Sequence, residues 1–203
     1  MEKGKRWFLL AAGTVVYALG IDLCCHAGFG GTTLSTLWNG LCLHIPVTFG
    51  EASAIVAAVM IAVSLLLDRK QIRWGTLFYQ IFYSFCLDLF LPLLRYSGAA
   101  AVDLFLMLSG IVLYAVGAGI CSYANVGKGP YEALTFAISG RFSLSVKASR
   151  MLLDALAVGF GWLLGAKVGL CTVAALLFSG KILQKTVEIL RKRNFLGISV
   201  EKE

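Results

Sequence analysis

The sequence predicts an all-α integral membrane protein built from two copies of one helical unit. Of its 203 residues, 59% are hydrophobic and only 14% are charged, whereas soluble domains carry roughly 25% charged residues. Residues 13–30 recur at an offset of 97 as residues 110–127, with eight identities where chance would give roughly two. The identical residues of the first copy are Gly13, Val15, Tyr17, Ala18, Gly20, Cys24, Ala27 and Gly30.

The duplication continues past this window at an offset of 96, so it covers nearly the whole chain. We expect a single membrane domain over residues 1–203. Within it, repeat one lies at about 7–95, repeat two at about 102–190, and a cytoplasmic tail at 191–203.

Each copy begins with a long apolar helix that ends at a glycine turn, at residues 28–31 in copy one and 127–129 in copy two. The basic leader before the first apolar run resembles a signal peptide. Because the same run recurs inside the chain, we expect the first helix to be retained.

A short segment follows each glycine turn, at residues 33–44 and 131–142. A dozen helical residues rise only about 18 Å, well under a hydrocarbon core of about 30 Å. We therefore predict two re-entrant half-helices. Two further long helices complete each copy, which gives three transmembrane helices and one half-helix per repeat.

The basic residues support this arrangement. With re-entrant half-helices, fourteen Lys and Arg residues lie on the cytoplasmic side and only Arg95 and Lys167 lie outside; with spanning half-helices the division is eleven to five. The positive-inside rule favours the first division. Because three crossings per copy is an odd number, the copies are predicted to be inverted repeats with both termini in the cytoplasm.

Several motifs resemble the YczE/YyaS/YitT group of bacterial integral membrane proteins, most closely its YczE-like branch. They are AGFGGTT (27–33), GTL (75–77), GIVLYAVGAGI (110–120), NVGKGPYEAL (125–134) and GWLLGAKVGLCT (161–172). The resemblance implies a multi-pass protein of the bacterial cytoplasmic (inner) membrane and carries no general activity. The group follows each glycine turn with Pro and an acidic residue. Copy two keeps Pro130 and Glu132, whereas copy one has Thr33 and Ser35.

The starts of the two half-helices are the predicted binding site for a small, anionic solute. Free backbone N–H groups and the positive end of the helix dipole attract anions there, and Lys128 would strengthen that preference. Glu132 is either a helix cap or a cation ligand. Alternatively, the glycines serve only tight turns and close packing. The predicted site comprises Gly28, Gly30, Gly31, Thr32, Thr33, Gly127, Lys128, Gly129 and Glu132.

Asp88, inside the third long helix of copy one, is the leading candidate for ion coupling. A carboxylate in a membrane helix costs about 2.5–3.5 kcal/mol and needs a partner. Its counterpart in copy two is Gln184, and we expect Gln184 and Lys181 as neighbours. The alternative is a structural ion pair with Lys181.

Two further polar pairs have a functional and a structural interpretation. Asp22, four residues before His26, is a second candidate for proton uptake; an interfacial polar pair explains it equally simply. Arg150 and Asp154 are also four residues apart and can meet on one helical face, as a gate or as a structural pair.

The sequence carries no nucleophile–base motif, no phosphate-binding loop and no metal-ligand spacing, so we expect neither an enzyme nor a cofactor or metal. Its basic tail favours contact with membrane lipids over nucleic acid. The preferred function is a small secondary transporter or exporter. Two alternatives remain: a regulatory or assembly protein that moves nothing, and the substrate-binding membrane subunit of an energy-coupling-factor importer. A homodimer is left open.

Overall fold

The computed structural model describes residues 2–94 and 98–193; Arg95 and residues 194–203 of the predicted cytoplasmic tail lie outside them. The described residues form eight α-helices and no strands, which confirms the all-α fold. Two 3₁₀ turns lie at Arg69–Gln71 and Leu91–Leu93. The helices are α1 (Glu2–His26), α2 (Thr33–His44), α3 (Phe49–Leu67), α4 (Trp74–Phe90), α5 (Ala100–Ala124), α6 (Pro130–Phe142), α7 (Val146–Leu163) and α8 (Leu170–Lys192).

The two short helices lie where the sequence predicts them. α2 has 12 residues and α6 has 13. The Thr32 hydroxyl caps α2 by accepting the backbone N–H of Ser35 at 3.4 Å. Pro130 starts α6, where its missing N–H costs nothing. Local capping chemistry therefore fixes where both short helices begin.

Helices α1 and α5, which are equivalent in the two repeats, pack tightly against each other. Gly20 lies on the backbone of Tyr114, and Gly117 lies on the backbone of Tyr17. Residues later in α1 contact residues earlier in α5, so the two helices are antiparallel. Only glycine allows backbones to approach this closely.

The remaining helices repeat the same pairings around α1 and α5. α4 packs on α1 as α8 packs on α5, and α6 packs on α3 as α2 packs on α7. At the α2–α7 contact a Cβ on Gly161 would lie 2.7 Å from the carbonyl oxygen of Thr36. Each short helix therefore packs against a long helix of the other copy, in addition to one of its own copy.

Among the described residues, five helices are long and apolar enough to cross a membrane: Lys3–His26, Phe49–Leu67, Trp74–Leu93, Ala100–Ala124 and Leu170–Lys192. Their outward faces carry large exposed apolar side chains, such as Leu66, Ile81 and Phe105. Such surfaces suit contact with lipid. The five helices are α1, α3, α4, α5 and α8.

Helix α7 is not in that set. It has 18 residues and carries Lys147, Arg150 and Asp154, which makes it too polar by the same measure. The crossing of copy two that α7 is predicted to make therefore stays a prediction.

Candidate functional site

A small, partly open cavity of about 30 Å³ lies where the first turns of α2 and α6 face α1, α3 and α4. That volume holds about two water molecules. Leu34 reaches it from the first turn of α2, and Pro130, Tyr131 and Glu132 reach it from α6. The sequence placed the site between the two half-helices, and the structure brings their first turns to one cavity.

Aromatic side chains form one wall of this central cavity. The rings of Tyr79 and Tyr83 are stacked at 5.6 Å, and Tyr17 meets Tyr83 edge-on at 5.1 Å. Trp38 of α2 lies 6.0 Å from Tyr83. The wall is rigid and apolar, with hydroxyl groups that can orient a ligand.

Polar groups of α3 and α4 form the opposite side of the central cavity. The Gln80 amide donates to Ser84 at 3.0 Å and to Ser53 at 3.3 Å, and the two serine hydroxyls are 2.9 Å apart. Both Gln80 and Ser53 line the cavity. Sequence reasoning missed them, although the spacing of Gln80, Ser84 and Asp88 places all three on one face of α4.

Among the residues that line the cavity in the described chain, Glu132 is the single charged one. Its carboxylate and the tyrosine faces disfavour an anion and suit a cationic or neutral polar solute. The expected preference for an anionic solute therefore has no support at this cavity.

The glycine turn of copy one lines a different space. Gly28 and Gly30 border an open surface cavity of about 480 Å³, together with Trp162 and Lys167 at the α7–α8 connection. Both glycines have positive φ, at 71° and 87°, a conformation that favours glycine. The Gly31 carbonyl accepts the Thr172 hydroxyl at 2.6 Å. Thr33 begins α2, and the cap itself is Thr32. The two glycine turns thus do not form one site.

The glycine turn of copy two is held by a loop of copy one. Lys128 donates to the Gln71 side-chain oxygen at 2.6 Å, and its ammonium lies 3.8 Å from the Phe136 ring centroid. Gln71 in turn donates to Asp68 at 2.7 Å. This bond, together with the Lys70 backbone N–H, holds the pKa of Asp68 below its usual value. We call Asp68, Gln71 and Lys128 the loop latch. Gly127 and Gly129 lie beside it, Gly127 against the backbone of Gly75.

The predicted neighbours of Asp88 are wrong. Its carboxylate accepts the Thr48 hydroxyl and the Gly50 backbone N–H, each at 2.7 Å. Asp88 thus caps the N-terminus of α3. Gln184 and Lys181 are exposed on α8, which packs on α5, because the equivalent helices do not meet face to face.

Arg150 and Asp154 lie on one face of α7, as predicted, but they do not pair directly in the described structure. The Tyr131 hydroxyl donates to the Asp154 carboxylate at 2.8 Å, and the Arg150 guanidinium lies 5.2 Å from the centre of the Tyr131 ring. Tyr131 therefore separates the two charges, and it ties α6 to α7.

Asp22 is fully buried among the helices, near the C-terminal end of α1. Its side chain is 0% exposed. The ring of His26 contacts the backbone carbonyl of Asp22 at 3.2 Å instead of the carboxylate.

Within residues 2–94 and 98–193, no three His, Cys, Asp or Glu side chains are arranged to hold a metal ion.

Comparison with known proteins decides the family. The sequence profile of a family of unknown function (DUF6198) matches residues 4–187. The chain belongs to this family. It is also similar to two bacterial proteins. These are the uncharacterized membrane protein YczE of Bacillus subtilis (26% identity over 184 residues, 88% of this chain and 84% of that protein) and an uncharacterized protein of Haemophilus influenzae (27% over 177 residues, 87% and 81%).

The first of these relatives confirms the YczE-like resemblance found in the glycine-turn motifs. No solved structure matches this DUF6198 chain. The family and the helical fold establish a multi-pass membrane protein.

Proposed function

We propose that this DUF6198 protein is a small secondary transporter or exporter whose solute binds in the central cavity. The observation that carries the proposal is the meeting of the first turns of α2 and α6 at one cavity, whose lining includes the polar residues Ser53, Gln80 and Glu132. Interrupted helices that meet inside the membrane are the usual binding site of transporters built from inverted repeats. The antiparallel contact of α1 with α5 supports an inverted arrangement with three crossings in each copy.

The solute that this lining favours is a small cationic or neutral polar molecule. Glu132 supplies a negative charge, and the tyrosine faces supply cation–π contacts. A space of about 30 Å³ is too small for most metabolites, so binding requires α6 to move away from α3. The loop latch and the Tyr131–Asp154 bond are the contacts that hold α6 in place.

The experiment is uptake by the full chain reconstituted in lipid vesicles, with a radiolabelled panel of amines, amino acids, sugars and organic anions. We expect wild type to take up at least one amine or neutral member, and Glu132→Gln to lose at least ten-fold of that uptake. Glu188→Gln, on the exposed face of α8, is the matched control and retains it.

Two results would count against the proposal. If no panel member is taken up or raises the melting temperature of wild type, the protein is not a carrier, and a regulatory or assembly role takes its place. If Glu132→Gln transports as well as wild type, the central cavity is not the solute site.

A further inference from the structure

Asp22 is the most unusual charged residue inside the helical body. Its side chain is 0% exposed, and neither carboxylate oxygen has a hydrogen-bond partner in the part of the chain that the structure describes. Asp103, the other deeply buried aspartate, is 2% exposed and leaves only one oxygen unpaired. It lies in the first turn of α5, where the helix dipole stabilises negative charge. Asp22 lies near the C-terminal end of α1, where the dipole opposes such a charge.

An ionised carboxylate in this position would be strongly unfavourable. An unpaired buried charge costs several kcal/mol, so such a group is either paired or neutral. Groups near Asp22 include Cys24 and Cys25 on α1, and Tyr83, Cys86 and Asp88 on α4, all neutral or acidic. His26, a basic group on α1, contacts the backbone carbonyl of Asp22 at 3.2 Å, and neither carboxylate oxygen of Asp22 has a hydrogen-bond partner in the described residues.

A metal cation does not fit the same surroundings. Hard cations take about six or more oxygen ligands. Thiols suit soft metals, but no three His, Cys, Asp or Glu side chains in the described residues are arranged to hold a metal ion. The nearby carboxylate of Asp88 already accepts hydrogen bonds from Thr48 and Gly50. A proton needs no ligand shell and neutralises Asp22 by itself.

Tyr83 of α4 lines the central cavity and is 2% exposed, and its hydroxyl also lacks a hydrogen-bond partner among the described residues. The cavity therefore has a second buried polar group without a partner, in its aromatic wall.

We propose that Asp22 is a proton-binding site, occupied in the arrangement described here. In the proposed carrier Asp22 is then the ion-coupling group, and Asp88 holds the start of α3. The coupling role rests on the proposed transport function, whereas proton binding at Asp22 does not.

Infrared spectroscopy of the full chain in lipid vesicles tests the proposal directly, with the proton itself as the probe. The C=O stretch of a protonated carboxylic acid is separate from the bands of a carboxylate. At neutral pH we expect wild type to show this band, with a shift when aspartate is labelled with ¹³C at its carboxyl carbon. We expect Asp22→Asn to lose the band and Asp103→Asn to keep it.

The result stays decisive if Asp22→Asn does not fold. In that case the ¹³C-sensitive band must survive in each of Asp68→Asn, Asp88→Asn, Asp103→Asn and Asp154→Asn, which leaves Asp22 as its source. A wild-type spectrum without a ¹³C-sensitive acid band at neutral pH overturns the proposal, as does a band lost in Asp103→Asn instead. These outcomes do not depend on uptake, so failure of the transport proposal is recognised separately.

Discussion

Asp88 illustrates how a charged residue is accommodated in an apolar helix without an opposite charge. Its two carboxylate oxygens accept hydrogen bonds at the N-terminus of α3, where the helix dipole is positive. The sequence identified the cost of this carboxylate correctly but assigned it the wrong partner. The repeat shows that Gln184 is equivalent to Asp88 in sequence. It does not show that the side chain of Asp88 lies at the N-terminus of α3.

Removal of this cap is expected to destabilise the protein. Asp88→Ala leaves the Thr48 hydroxyl and the Gly50 N–H without their acceptor, at a cost of about 1–3 kcal/mol. Gln184→Ala, on an exposed face, is the control and is expected to stay within about 0.5 kcal/mol of wild type. Reversible unfolding in mixed detergent micelles measures both. Equal stability of the two variants would contradict the capping role.

The loop latch gives a pH-dependent prediction outside the membrane. Hydrogen bonds from Gln71 and the Lys70 backbone lower the pKa of Asp68. Because the pKa is lowered, these bonds stabilise the folded loop at pH values above the usual carboxyl pKa. This stabilisation is lost as the pH falls through the lowered pKa. Gln71→Ala is therefore expected to move the Asp68 titration toward higher pH. ¹³C NMR of labelled aspartate, assigned with Asp68→Asn, measures the shift; an unchanged titration would contradict the contact.

At the scale of whole helices, the sequence predicts the positions of the elements better than their contacts. The limits of α2 and α6 follow from local features, namely glycine turns, the Thr32 cap and Pro130. Their packing on α7 and α3 does not follow from the sequence, because apolar periodicity marks a buried face without naming its partner. Ser53 and Gln80 were missed for the same reason.

At the crossing of α1 and α5, we expect even one added methyl group to lower the stability of the protein. Gly20→Ala places a methyl group against the backbone of Tyr114, and the backbone cannot move aside, so the helices must separate. We expect a loss of about 1–3 kcal/mol. In Gly180→Ala the added Cβ meets nothing within 4 Å, so this α8 variant is the control and loses no stability. A drop of similar size in both variants would indicate a general helix effect.

At the scale of the whole molecule, the topology depends on whether α7 crosses the membrane. Five described helices suffice to cross a membrane by length and composition, and the sixth predicted crossing depends on a helix with three charged residues. Tyr131 contacts two of these charges, Arg150 and Asp154. Their burial against α6 lowers the cost of placing α7 in the membrane.

Cysteine labelling from either side of the membrane tests this crossing. Lys70 and Lys167 are both exposed, one before α4 and the other between α7 and α8. A membrane-impermeant maleimide is expected to label Lys70→Cys only from the cytoplasmic side and Lys167→Cys only from the outside. Unsubstituted protein, whose six cysteines are buried or half-buried, gives the background. Labelling of both positions from one side would contradict the inverted arrangement.

The exchange of half-helices between the two copies has a consequence for the origin of the protein. α6 covers a face of α3, and α2 covers a face of α7. A chain that contained one copy alone would lose these contacts and keep only those within the copy. Under the proposed inverted arrangement, an ancestor with a single copy would regain them only by inserting in both orientations and assembling as an antiparallel pair.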